Sequence, residues 1–188
     1  PWRTGQARPP LGVDIDCGET RLVGAVEQVW TEARLSASFS RLGAGRILDA
    51  WIRHLALLCA PPDEAGPPPQ RTVVVGRSTT GGGVGVVVFE AVPEPAAILA
   101  DLVGLWRVGQ AAPLPFLPDA SFAYAAASDD PMVEARKSIA GSIRSGFGDW
   151  SADVARVWEG RDPLSEDGDF ATLATQVMGP LLTHAVRS

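Results

Sequence analysis

Between residues 34 and 59 the hydrophobic period changes inside one stretch, "RLSASFSRLGAGRILDAWIRHLALLC". The first eight residues alternate as a strand does, two glycines follow, and then apolar residues recur at helical spacing. A chain that passes from period two to period 3.6 in this way is neither all-helical nor all-β, and the pattern predicts an α/β fold. The helical part, expected over 47–59, carries Ile47, Leu48, Trp51, Ile52, Leu55, Leu58 and Cys59 as a single stripe to be buried. Arg53 falls on the opposite face.

Ahead of this switch, "LGVDID" (11–16) and "TRLVGAVEQVW" (20–30) read as strands joined by a "CGE" turn. With "ARLSASFSR" (33–41) they predict a three-strand antiparallel meander, Glu27 and Ser38 lying on adjacent strands and the helix packing on that sheet through Trp51 and Leu55. "APPDEAGPPPQ" ends the helix as a loop, because proline removes donors and disfavours helix before it. "RTVVVGRS" and "GVGVVVFEAV" are β-branched runs around "TTGGG", the pattern of a hairpin. "EPAAILADLVGLWRVG" (94–109) has an early proline and a closing glycine and predicts a helix. "AAPLPFLPDASFAY" reads as an extended, proline-rich segment, and 129–145 as a helix capped by an aspartate ahead of Pro131. "SADVARVWEG" fits either strand or helix, and "FATLATQVMGPLLTHAV" a closing helix with Gly179-Pro180 as a point of interruption. No repeat is present, and no linker is long enough to separate a pair of domains, so residues 1–188 are expected to form one domain.

The 188 residues carry a net charge of −6. Phosphate neutralisation supplies much of the affinity for nucleic acid, so any contact with DNA must use a local patch or be shared with partners. Sixteen residues are basic and Lys137 is the only lysine; the arginine excess fits a GC-rich coding bias. No apolar run reaches the ~18 residues of a membrane span. The chain starts at Pro1 rather than Met, and is expected to be a piece cut from a longer protein. Cys17 and Cys59 show no metal-binding or disulfide spacing and are expected to be reduced, buried thiols of a cytoplasmic protein.

Several chemistries fail on their residues. "TTGGGVGVV" lacks the third glycine of a dinucleotide loop and runs on into β-branched residues, whereas phosphate cradles open a helix. His54 and His184 stand apart, with no Gly-x-Ser-x-Gly elbow and no metal-ligand spacing, and read as structural or surface histidines. Asp14 and Asp16 share one face of their strand, and with Glu27 three carboxylates could hold Mg²⁺; the plainer reading is a solvated sheet face.

The strands followed by a packing helix resemble nucleases of the PD-(D/E)XK class, which place an acid on one strand and an acid-x-lysine on its neighbour. Laid on this sequence, "VGAVEQV" puts Glu27 at the first acid, while "LSASFSR" puts Ser38 and Ser40 at the second acid and the lysine. A hydroxyl is a poor ligand for a hard cation, and Arg41 stays protonated and cannot act as a base. On this alignment the site is degenerate: no catalytic residue, no metal ligand and no cofactor is expected.

"ILDAWIRHLALLC", "LADLVGLWRVGQAAPLPFLPDASFAY", "VARVWEG" and "FATLATQVMGPLL" resemble, in order, the C-terminal domain of the gamma (RecC) subunit of bacterial exodeoxyribonuclease V. The helix ending in glycine before Pro-Leu-Pro-Phe is the most specific piece, and residues 61–92 carry almost no family signal. The resemblance implies a PD-(D/E)XK-like core with a mixed sheet, flanking helices and a helical C-terminal part. It implies a non-catalytic scaffold and DNA guide within a helicase–nuclease acting in double-strand break repair and recombination. Its partners would be the beta (RecB) and alpha (RecD) subunits and DNA, with no membrane. Two alternatives stay open: an active Mg²⁺ nuclease using Asp14, Asp16 and Glu27 with Lys137, and a protein-interaction module without DNA contact.

Overall fold

Alternation in the first strand, β1 (Leu11–Asp16), turns Leu11, Val13 and Ile15 inward and leaves Gly12, Asp14 and Asp16 outside. It pairs antiparallel with β2 (Arg21–Val26), Leu11 opposite Val26 and Asp16 opposite Arg21. In this computed structural model, which describes residues 5–79, 82–146, 148–165 and 167–187, the pair stands as a two-stranded sheet of its own. The expected three-strand meander is therefore corrected. β3 (Arg34–Arg41) belongs to a second, mixed sheet in the order β3-β4-β5-β6.

Non-local pairing explains the difference. β3 leads into α1 (Ala44–Leu58), and the chain returns as β4 (Thr72–Arg77), which runs parallel to β3. This is a strand–helix–strand crossover, the connection that parallel neighbours require. Val73 and Val74 of β4 are both buried although their side chains point to opposite faces, so β4 needs cover on each side. β5 (Val84–Phe89) returns antiparallel to β4, giving the expected hairpin, and β6 (Ala185–Arg187) pairs with β5. Thr80 and Gly81 of the expected "TTGGG" turn lie outside the described residues.

The helix α1 lies against β1, β2, β4 and β5. Trp51 and Leu55 are fully buried, as the stripe predicts, and Arg53 is exposed in an ion pair with Asp49 at 3.1 Å. Two details differ. Ile52 is 37% exposed, and His54 is fully buried on the inner face.

The chain divides into two compact units, Pro1–Leu105 with His184–Ser188, and Trp106–Thr183. α2 (Pro95–Ala111) starts at the expected proline and runs two residues past Gly109. The second unit holds α3 (Pro118–Ala126), α4 (Pro131–Ser145), α5 (Ala152–Val157) and α6 (Phe170–His184) up to Thr183. Its core gathers Leu117, Ala120, Ala135, Leu164, Phe170 and Ala174, with the Tyr124 ring edge-on to Phe170. α4 behaves as its sequence predicts: the Asp130 carboxylate accepts from the Val133 N–H at 3.1 Å, and Gly146 ends the helix at φ 68°.

α3 corrects the expectation of one long extended segment. Its N-cap position is the apolar Leu117, which caps nothing. A carboxylate from elsewhere does so instead, the Ala120 N–H donating to Asp149 Oδ2 at 2.8 Å. α5 settles the ambiguous "SADVARV" as helix, with the Ser151 hydroxyl accepting from Val154 N–H. α6 carries Pro180 without a break, so Gly179-Pro180 does not interrupt it.

Candidate functional site

Glu27 follows the last residue of β2 and is exposed. After it the chain turns, and Val29 bridges Arg34 while Leu35 N–H donates to Gln28 carbonyl at 3.0 Å. Beyond β2 the antiparallel ladder consists of that bridge, so Glu27 and Ser38 are not cross-strand partners and the expected pairing is corrected. The reason is the crossover: β3 takes β4, not β2, as its ladder neighbour.

Ser38 and Ser40 lie where the β3–β4 register slips, between Ala37 opposite Val75 and Arg41 opposite Arg77. Four residues of β3 thus span two of β4, a bulge that re-aims its side chains. Within it the Ser38 hydroxyl accepts from Ser40 N–H at 3.0 Å, a local turn bond. Gly76 faces the bulge, and a Cβ there would stand 2.8 Å from Ser40 carbonyl, so only glycine lets the strands approach.

The other carboxylates are engaged elsewhere. Asp14 forms a two-point pair with Arg21, which holds its carboxyl below the ordinary carboxylate range; Asp16 accepts from Gly18 N–H at 2.9 Å. Both sit towards the turn end of the hairpin, whereas Glu27 is at the opposite end, about 13 Å along the strand from Val23, the partner of Asp14. Lys137 lies in the second unit, bonded to Glu134 at 2.6 Å. Among the described residues no group of three His, Cys, Asp or Glu is placed to hold a metal ion. A hard cation needs a cluster of oxygen ligands, and one carboxylate aligned with two hydroxyls does not fit that requirement. Cys17 and Cys59 are free thiols, each half-buried rather than fully so, and burial pushes both up from the ordinary thiol value.

Two buried basic groups escaped the periodicity. Arg34, the first residue of β3, is 4% exposed and donates from Nε to Glu27 carbonyl at 3.1 Å. Its Nη1 has no hydrogen-bond partner among the described residues. Arg8, also buried, donates to Gly66 and Pro67 carbonyls and pairs with Asp63, tying down the proline-rich loop. Arg34 stands between Ala33 and Leu35, and Arg8 between Ala7 and Pro9; nothing in that pattern marks a buried arginine, and only its position in the finished fold does.

His54 is more telling. Its Nε2 lies 2.9 Å from Glu90 carbonyl, which can only accept, so Nε2 carries the proton. Nδ1 then accepts from the Thr72 hydroxyl at 3.0 Å. Burial lowers the imidazole pKa to about 4, opposed by the Glu90 carbonyl and reinforced by Arg34 and His184. The ring is therefore neutral near pH 7, packed against Trp51 and Phe89, while His184 stacks on Trp51 at 5.8 Å. Both ring nitrogens are spent on structure, which is the structural reading expected for this histidine.

A two-stranded hairpin, a four-stranded mixed sheet and six helices define a mixed α/β chain, with hydroxyls at the bulge of β3. Comparison with known families gives the particular relationship. The family described as "RecC C-terminal domain" matches residues 1–129, and the chain belongs to it. A RecBCD enzyme subunit RecC of Mycolicibacterium smegmatis is 35% identical over 128 residues, covering 65% of this chain and 11% of that protein. A RecBCD enzyme subunit RecC of Mycobacterium tuberculosis is 33% identical over 157 residues, covering 81% of this chain and 14% of that protein. The chain thus spans a small share of the relatives it matches. No helix among the described residues is long and apolar enough to cross a membrane.

Proposed function

We propose that this chain is a C-terminal, domain-sized piece of a gamma subunit of exodeoxyribonuclease V, a PD-(D/E)XK-like core that has lost catalysis. It serves as scaffold and DNA guide in a cytoplasmic helicase–nuclease acting in double-strand break repair and recombination. Its partners are the beta and alpha subunits and, in the assembled complex, DNA. The observation that carries the reading is the bulge at Ser38–Ser40: the two serines that the sequence alignment sets at the acid and lysine positions are joined by a bond within the bulge itself. Family membership supports the assignment to the complex.

Metal-assisted hydrolysis needs an ion to stabilise developing charge and supply the nucleophile, and carboxylates to hold that ion. Glu27 alone offers neither the ligand number nor the geometry. Calorimetric titration with Mg²⁺ or Mn²⁺ beside a labelled-DNA cleavage assay tests this. No binding and no cleavage are expected. Metal-dependent cleavage lost in Glu27→Ala would overturn the reading and restore an active nuclease.

A further inference from the structure

We propose that the bulge of β3 is a stacking platform for a single-stranded nucleic acid, with Phe39 receiving a base and Arg41 and Arg77 receiving the flanking phosphates. Phe39 is 97% exposed, the most open large apolar side chain among the described residues. It stands at the middle of the Ser38–Ser40 bulge, on a strand that forms the edge of its sheet. A fully exposed phenylalanine gains nothing from folding, whereas a base laid on its face buries both surfaces.

The charge beside it is of the complementary sign. Arg41 and Arg77 are register partners across β3 and β4, both exposed, and neither pairs with an acid among the described residues. Two like charges facing each other repel, and an anion between them relieves this. Arg46, also exposed and without an acid partner among the described residues, follows in the first turn of α1. Next to the arginines, at Leu42 and Ser78, opens a cleft of about 260 Å³ whose lining includes Thr79 and Arg187. In a chain of net charge −6, this is a local basic patch. Aromatic face, guanidinium pair and a cleft of mixed polar and apolar lining together suit an unpaired strand, whose bases are free to stack, better than a duplex, whose bases are not.

The inference rests on the reading of the chain as a DNA guide, and names the surface that does the guiding. The experiment uses the full-length subunit assembled with its partners on a forked DNA substrate. A photoreactive benzoyl-phenylalanine at position 39 should crosslink to DNA. In parallel, 4-thiothymidine placed in the single-stranded arm should crosslink to the peptide holding residues 36–42. Phe39→Ala should weaken binding of an oligothymidine arm about tenfold while Phe39→Trp retains it. Arg41→Ala with Arg77→Ala should flatten the salt dependence by about 0.7 of a log unit for each phosphate no longer neutralised. Crosslinks from position 39 to a polypeptide only, or to nothing, would overturn the platform. If thiothymidine then marks other peptides of this region, the guide reading stands; if it marks none, both fall.

Discussion

In the first unit a cluster of rings, Trp51, His54 and Phe89, with centroids 5.2–5.9 Å apart, sits inside an otherwise aliphatic interior. In the second, half of the core cluster is alanine, Ala120, Ala135 and Ala174 standing beside Leu117, Leu164 and Phe170. Rings occupy volume that nothing nearby can recover, so a ring core is vulnerable to truncation. Alanines let backbones approach closely, so an alanine core is vulnerable to enlargement. Polar groups divide in the same way. His54 is kept neutral in the first unit by burial, while in the second the Asp149 carboxyl is raised by burial against the Ala120 N–H that favours its anion.

The largest expected effect is Trp51→Ala, which should cost about 3–5 kcal/mol by chemical denaturation, since the ring is wholly buried. A loss below about 1 kcal/mol would break the contrast between the cores. Acid comes second. The folded pKa of His54, about 4, lies below its ordinary 6.5, so the unfolded chain takes up a proton that the folded chain refuses. Stability is present above pH 6.5 and lost as pH falls towards 4, by about 3 kcal/mol for this group alone. Asp149 acts with the opposite sign: its raised carboxyl makes the second unit relatively more stable as pH falls. Denaturation at about pH 7 and about pH 4.5, compared with a His54→Gln variant that should respond less to acid, checks the first. Hydrogen exchange read unit by unit checks the division.

Enlarging the other core comes next. Ala135→Leu should cost about 1–3 kcal/mol, measured by the same denaturation. A neutral result would show that the helices leave room there. The smallest effect belongs to Arg53→Ala, within about 0.5 kcal/mol, because its pair with Asp49 is solvated. Melting shifts of similar size for Trp51→Ala and Arg53→Ala would mean that the buried and open faces of α1 do not differ.

Much of the first unit was legible from local pattern. Alternation revealed β1, the β-branched runs revealed the β4–β5 hairpin, and helical spacing revealed α1. The partner of β3 was not, because a strand's alternation says which face is buried and nothing about which strand lies beside it. His54 sits at stripe spacing, three after Trp51, yet an imidazole does not count as apolar until its two partners, Thr72 and Glu90, are known. In the second unit, α4 was legible from Asp130, Pro131 and its closing glycine. α3 was hidden because Pro113, Pro115 and Pro118 all suggest extended chain, although the last is the favoured first residue of a helix. Of the candidate site, Ser38 and Ser40 do lie on β3, but the pairing of β3 with β4 rather than β2, which leaves Glu27 without them as cross-strand partners, is a non-local choice that no local pattern encodes.

The cap that Asp149 lends to α3 also bears on the order in which the chain folds. A helix of nine residues with an apolar residue at its start is too short to persist alone. Its missing acceptor arrives from 29 residues further on, after α4 has been made and turned back. α4 carries its own aspartate and glycine and can form from local contacts alone. The expected sequence of events is therefore α4 first, then closure of the 118–150 loop, then α3 consolidating on a carboxylate already in place. Loops of that length close in microseconds or less, so the delay is one of dependence rather than of time.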